Sequence, residues 1–140
     1  PVQLARSPKE EKDFLSENFY DRAFSIIQKR QNQNLDLEIF ELKSYGEEYS
    51  VKNCIVRSIL NRDNKQLEIL IFNSYSHEIL GAMHLTESIL EFIKLSSKNE
   101  LVLKDILTGE SYTREKEVLI RGMFVRLESG KAHWFVIDVG

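Results

Sequence analysis

A chain of 140 residues, 42% hydrophobic and 29% charged with a formal charge of −3, has the material for one folded domain with a core and too little for two. The acidic balance argues against nonspecific nucleic-acid binding, which needs a basic field, and no apolar run approaches the ~20 residues of a membrane span. One cysteine, Cys54, excludes an internal disulfide and fits a reducing, cytoplasmic setting.

In chain order, the first element is the most regular. Ser7 caps, Pro8 suits the first helical position and Glu10 completes a capping box. Phe14, Leu15, Phe19, Ala23, Phe24, Ile26 and Ile27 recur at helical spacing, so a helix is expected over about 8–31. "PVQLARSPKEEKD" turns charged at once, unlike a secretory leader. Pro1 in place of Met, and an end on Gly140 straight after an apolar run, lead to the expectation of a piece of a longer protein.

A β-meander is expected over about 35–73. Leu35, Leu37 and Ile39 alternate with Asp36 and Glu38, with a short helix as the alternative. Tyr49, Val51, Ile55 and Ile59 continue the alternation to the "NRDNK" turn, and "QLEILIF" returns to close a hairpin of 49–60 with 66–73. Cys54, among β-branched neighbours, reads as a small packing residue.

Residues 76–96 carry an apolar stripe of Ile79, Leu80, Met83, Ile89, Leu90, Ile93 and Leu95 and are expected to be helical. Gly81 weakens the first half, and Thr86 can cap a fresh helix over 87–96. The tail, about 100–139, reads as strands: "LVLKDIL", "YTREKEV", "LIRGMFVRL" and "AHWFVIDV". The fold class expected is α+β: an antiparallel, barrel-like β-sheet packed against two amphipathic helices, as a single domain over 1–140.

The string "LTGES" resembles the signature loop of the P-type ATPase actuator domain, whose Glu helps to hydrolyse an aspartyl phosphate. That family continues with Pro-Val-x-Lys and carries upstream Gly-Asp and Pro-Ala-Asp segments. Here "YTREKEV" follows, and neither those segments nor the Asp-Lys-Thr-Gly phosphorylation motif occurs. The string therefore reads as a corner between two strands, with Gly109 at a positive-φ position. The longer stretch "LKDILTGESYTREKEVLIRGMFVRL" resembles the small β-domain found with the SEC-C zinc motif in some bacterial proteins. That likeness spans residues 100–140 and implies a β-rich fold. The SEC-C site needs several cysteines, and only Cys54 is present, so no activity comes with the resemblance.

Chemistry-bearing patterns are sparse. His84, Glu87 and Glu91, at i, i+3 and i+7, could hold a divalent ion from one helical face if another element added ligands, and the competing reading is a solvated helix flank. His77 stands seven residues before His84, too far to share one metal with it. No nucleophile elbow and no phosphate-binding glycine loop occurs, so no catalytic residue and no cofactor is expected.

The last hairpin offers one more constellation. In a strand over 119–127, Leu119, Met123, Val125 and Leu127 face one way, and Phe124 and Arg126 the other; Gly122 would house a bulge that absorbs Arg121. If this strand pairs with 132–139 across "ESGK", then Phe124, Arg126, Lys131 and Trp134 share one surface. That surface suits a protein hot spot or a stacking platform for single-stranded nucleic acid, whereas the plainer reading makes its aromatics a second core layer under a helix. The functional expectation is a non-enzymatic protein-interaction or regulatory module with a protein partner and no membrane. Single-stranded nucleic-acid binding and a metal-dependent hydrolase are the alternatives, and oligomeric state stays open.

Overall fold

A computed structural model describes residues 35–44, 51 and 54–140, all within one compact unit, Gln33–Gly140. The helix expected over 8–31 lies outside the described residues, as do 45–50 and 52–53 of the expected meander.

Among the described residues nine strands and two short helices follow in order: β1 (Leu35–Ile39), β2 (Glu41–Ser44), β3 (Cys54–Asn61), β4 (Gln66–Asn73), β5 (Ile79–His84), α1 (Glu87–Lys94), β6 (Glu100–Asp105), β7 (Ser111–Glu115), α2 (Lys116–Arg121), β8 (Phe124–Leu127) and β9 (Ala132–Asp138). The architecture is mixed α+β and mostly antiparallel sheet. Six strands run β1-β3-β4-β9-β6-β7, and three run β2-β5-β8. Among the described residues there is no closed barrel: β7 and β8 each end a sheet. At the other side β1 and β2 are separated only by buried Phe40, where the chain leaves one sheet for the other.

The β3–β4 hairpin forms as its alternation dictates, with Cys54 opposite Asn73 and Asn61 opposite Gln66. Asn61 makes the turn: its Oδ1 accepts the N–H groups of Asp63 (3.1 Å) and Asn64 (3.3 Å), while Lys65 takes φ 54°. One face of the large sheet, with Leu60, Leu67, Ile69, Ile71, Leu103 and Ile137, shares a core with Leu42, Met83 and Val125 of the small sheet. Ile89 and Ile93 of α1 and Leu119 of α2 join that core. Each such side chain stabilises the fold by about 1.5–3 kcal/mol relative to its exposed state. On the opposite face Ile59, Leu70, Phe72 and Trp134 are buried as well, so β4 and its neighbours are covered on both sides, which explains the unbroken apolar run "ILIF".

Three expectations are corrected. Residues 79–84 are a strand, and only 87–94 of the predicted helix is helical. Ile79, Leu80 and Met83 satisfy a helical stripe, but the burial alternates with period two, and Gly81 decides the outcome. A Cβ there would stand 2.7 Å from the Lys43 carbonyl oxygen and 2.9 Å from Leu42 Cγ, so the close approach of β2 requires glycine. Thr86 is the N-cap of α1, as its type predicts, yet its hydroxyl serves Glu38 on β1 (3.1 Å) instead of the helix.

The second correction concerns "EKEVLIRG". After β7 the chain makes a helical turn and a half, α2, which stops at Gly122 with φ 111°. Arg121 is therefore a helical residue, and no bulge is needed to explain it. Third, β8 and β9 do not pair. β8 pairs with β5, placing Phe124 opposite Ala82 and Arg126 opposite Leu80, whereas β9 lies between β4 and β6. The "ESGK" segment carries the chain between sheets. Buried Asn73 holds it there, its Nδ2 donating to the carbonyls of Leu127 and His77 (both 2.9 Å).

Candidate functional site

The seam where the two sheets fail to meet is a cleft of about 150 Å³. Its walls come from Leu103 of β6, Tyr112 and Arg114 of β7, residues 123–126 at β8, and His133 and Phe135 of β9. The best-built feature inside it is a pair. His133 Nδ1 lies 2.7 Å from Asp105 Oδ2, and the Asp105 side chain is 0% exposed while that of His133 is 22% exposed.

Local structure puts Asp105 there. Along β6 the residues Leu101, Leu103 and Asp105 are buried, and Val102 and Lys104 are exposed, so a carboxylate occupies the third inward position of an apolar strand. Burying it requires partners. Its Oδ1 accepts the N–H groups of Leu107 (3.0 Å) and Trp134 (3.3 Å), and its Oδ2 faces the imidazole. The "DILTGE" loop winds around this residue. Asp105 N–H donates to the Glu110 carbonyl (2.8 Å), and Gly109, at φ 81°, donates to the Asp105 carbonyl (2.8 Å). The string that resembles a catalytic signature is thus a corner whose interior is a carboxylate aimed at a histidine.

When the carboxylate is ionised it only accepts, so Nδ1 then carries the proton and Nε2 is the ring nitrogen outside the pair. The ring is also held by packing. It stacks on Phe135 with centroids 4.9 Å apart and 16° between planes, and Tyr112 meets Phe135 edge-on at 6.0 Å. The Tyr112 hydroxyl donates to Glu110 Oε2 at 2.5 Å. That bond, then burial and the charges of Glu110 and Asp105, push the phenol above its ordinary pKa. The Arg114 guanidinium lies 5.7 Å from the Tyr112 ring centre and donates to the Thr113 carbonyl at 2.8 Å. Among the described residues Arg114 belongs to no ion pair, whereas Arg126 is held by Glu78 at 3.0 Å.

The residues picked from the sequence are distributed otherwise. Phe124 and Arg126 do sit at the rim of the cleft, on β8. Trp134 does not join them: it is 3% exposed, on the face of β9 opposite His133 and Phe135, with its Nε1 donating to buried Glu68 at 2.9 Å. Lys131 is an exposed residue of the crossover segment. The shared surface of Phe124, Arg126, Lys131 and Trp134 is therefore not assembled, because the hairpin that would make it does not form.

His84 closes β5 while Glu87 and Glu91 belong to α1, so the common helical face expected for these three does not exist. Among the described residues no three His, Cys, Asp or Glu side chains are grouped to hold a metal ion. His77 is exposed and lies edge-on to Tyr75 at 5.1 Å. No sequence motif singles out His133 or Asp105. Their signal was present: in "LVLKD" and "AHWFVID" each stands in phase with the apolar residues two and four positions away.

No protein-family model matches the chain, and no curated protein matches it. Among the described residues no helix is long and apolar enough to cross a membrane, a statement that does not bear on strands.

Proposed function

We propose that this chain is a non-enzymatic regulatory binding module that holds its ligand in the cleft between β7 and β8. The observation that carries the reading is the His133–Asp105 pair. A carboxylate with no exposure, satisfied on both oxygens, is committed to fixing one imidazole that faces a cleft lined by apolar side chains, Tyr112 and two arginines. Such a fully satisfied buried network holds its members in one geometry. The cleft lining includes no thiol, and its one hydroxyl, that of Tyr112, is already engaged by Glu110; these are the features of a holder rather than a nucleophilic catalyst.

The test is an amide-resolved NMR titration of the whole chain with inorganic phosphate, acetate and benzoate. Shifts gathered on the end of β6, on β7 and on the start of β9 support the reading. The reading fails if all three leave those amides unmoved.

A further inference from the structure

Resting on that binding reading, we infer that the ligand class is a small planar aromatic carboxylate, its ring among Tyr112, His133 and Phe135 and its carboxylate meeting Arg114. Three observations meet here. First, size: a cleft of about 150 Å³ matches the order of volume at which an apolar protein cavity takes up a benzene-sized ring, and is well below the roughly 300 Å³ and more of a drug-sized site.

Second, surroundings: three aromatic rings stand together at the cleft, with His133 and Phe135 stacked face to face. His133 and Phe135 lie 4.9 Å apart at 16°, and Tyr112 stands at 89° to Phe135, while Leu103, Met123 and Val125 supply apolar floor. Edge-to-face contact with such an aromatic cluster favours an aromatic ring over a saturated one.

Third, charge: the cleft holds two guanidinium groups, and they are not equivalent. Arg126 is tied to Glu78 at 3.0 Å. Arg114 is steadied by the face of Tyr112 and by the Thr113 carbonyl and is in no ion pair among the described residues, which leaves its remaining donors for a planar, bidentate anion. The Glu110 carboxylate, four residues before Arg114, accepts the Tyr112 hydroxyl. Asp105 is behind His133 with both oxygens used.

The experiment compares benzoate, benzamide, cyclohexanecarboxylate and acetate by the same amide titration, on the unaltered chain and on Arg114→Gln. Benzoate is expected to bind at least tenfold more tightly than each of the other three, and R114Q is expected to remove that advantage over benzamide. Arg114 is exposed, and an unchanged thermal midpoint would establish that the variant is folded. Equal affinity for benzoate and cyclohexanecarboxylate overturns the planar-ring assignment, and equal affinity for benzoate and benzamide overturns the carboxylate. If acetate or phosphate moves the cleft amides and benzoate does not, the ligand class is wrong and the cleft reading stands. If none of the probes moves them, both are wrong.

Discussion

Asp105 and His133 are 28 residues apart in sequence and share a 2.7 Å hydrogen bond in which the acid has no exposure. Replacing Asp105 by Asn keeps acceptors for the Leu107 and Trp134 amides but presents an N–H₂ donor to Nδ1. The imidazole must then carry its proton on Nε2. The D105N chain is expected to lose about 1 kcal/mol in urea denaturation, and its side-chain ¹⁵N spectrum should show the reversed tautomer. An unreversed pattern would mean that the carboxylate does not orient the ring. Removing the group altogether, Asp105→Ala, leaves the buried Trp134 N–H and the part-buried Leu107 N–H without this acceptor and should cost about 2–4 kcal/mol.

Two glycines separate steric crowding from backbone strain. At Gly81 an added Cβ would meet the Lys43 carbonyl oxygen at 2.7 Å, a backbone atom of the neighbouring strand. Gly81→Ala is expected to destabilise by about 2–3 kcal/mol, because β2 must move. At Gly109, φ is +81° and nothing lies within 4 Å of the Cβ position. Gly109→Ala should cost only about 1 kcal/mol, from the left-handed backbone alone. Chemical denaturation of both variants checks the order, and a larger loss at Gly109 would contradict it.

Burial pushes the Cys54 thiol above its ordinary pKa, and its Sγ lies 3.5 Å from the Val51 carbonyl. A raised pKa means less thiolate at neutral pH, about tenfold less per unit. With one cysteine in the chain, iodoacetamide modification followed by mass spectrometry reads this residue alone. The rate at pH 7 is expected to fall well below that of a free thiol and to climb through pH 9. A rate equal to that of a free thiol would contradict the burial.

The Gly140 N–H at 3.0 Å, and Lys98 Nζ at 3.3 Å, hold the Asp138 carboxyl below its usual range. A depressed carboxylate pKa contributes stability above the unfolded value, near 3.9, and that stability is lost as pH falls through the folded value. Asp138→Asn should therefore lower the thermal midpoint slightly at pH 7, with the difference from the unaltered chain closing below about pH 4. Asp138 is exposed, so the effect is small. A difference that persists unchanged into acid would rule out the carboxylate as its source.

The β3–β4 hairpin was legible from its alternation and its Asn-rich turn, and α1 from its cap residue, since both depend on neighbours in sequence. β5 was not. Ile79, Leu80 and Met83 fit both periods, and the backbone of β2 that settles the matter comes from Glu41–Ser44, far along the chain. The choice of Ala82 over the next strand as partner for Phe124 is likewise a long-range one, and it separates Phe124 and Arg126 from Trp134. Of the site residues read from sequence, Phe124 and Arg126 border the cleft. The pair that defines it was visible only as two polar residues standing in phase with apolar ones.

The place of β9 has a consequence for the order of assembly. It is paired on one side with β4 and on the other with β6, so the β1–β3–β4 and β6–β7 parts of the large sheet are joined through it alone. On the ribosome, residues 132–138 emerge after both of those parts. Until they do, β4 has an open inner edge with apolar side chains on both faces, and the Asp105 carboxylate lacks both His133 and the Trp134 amide. The cleft between β7 and β8 thus forms only once β9 has paired, and nascent chains are most exposed to mispairing just before that strand arrives.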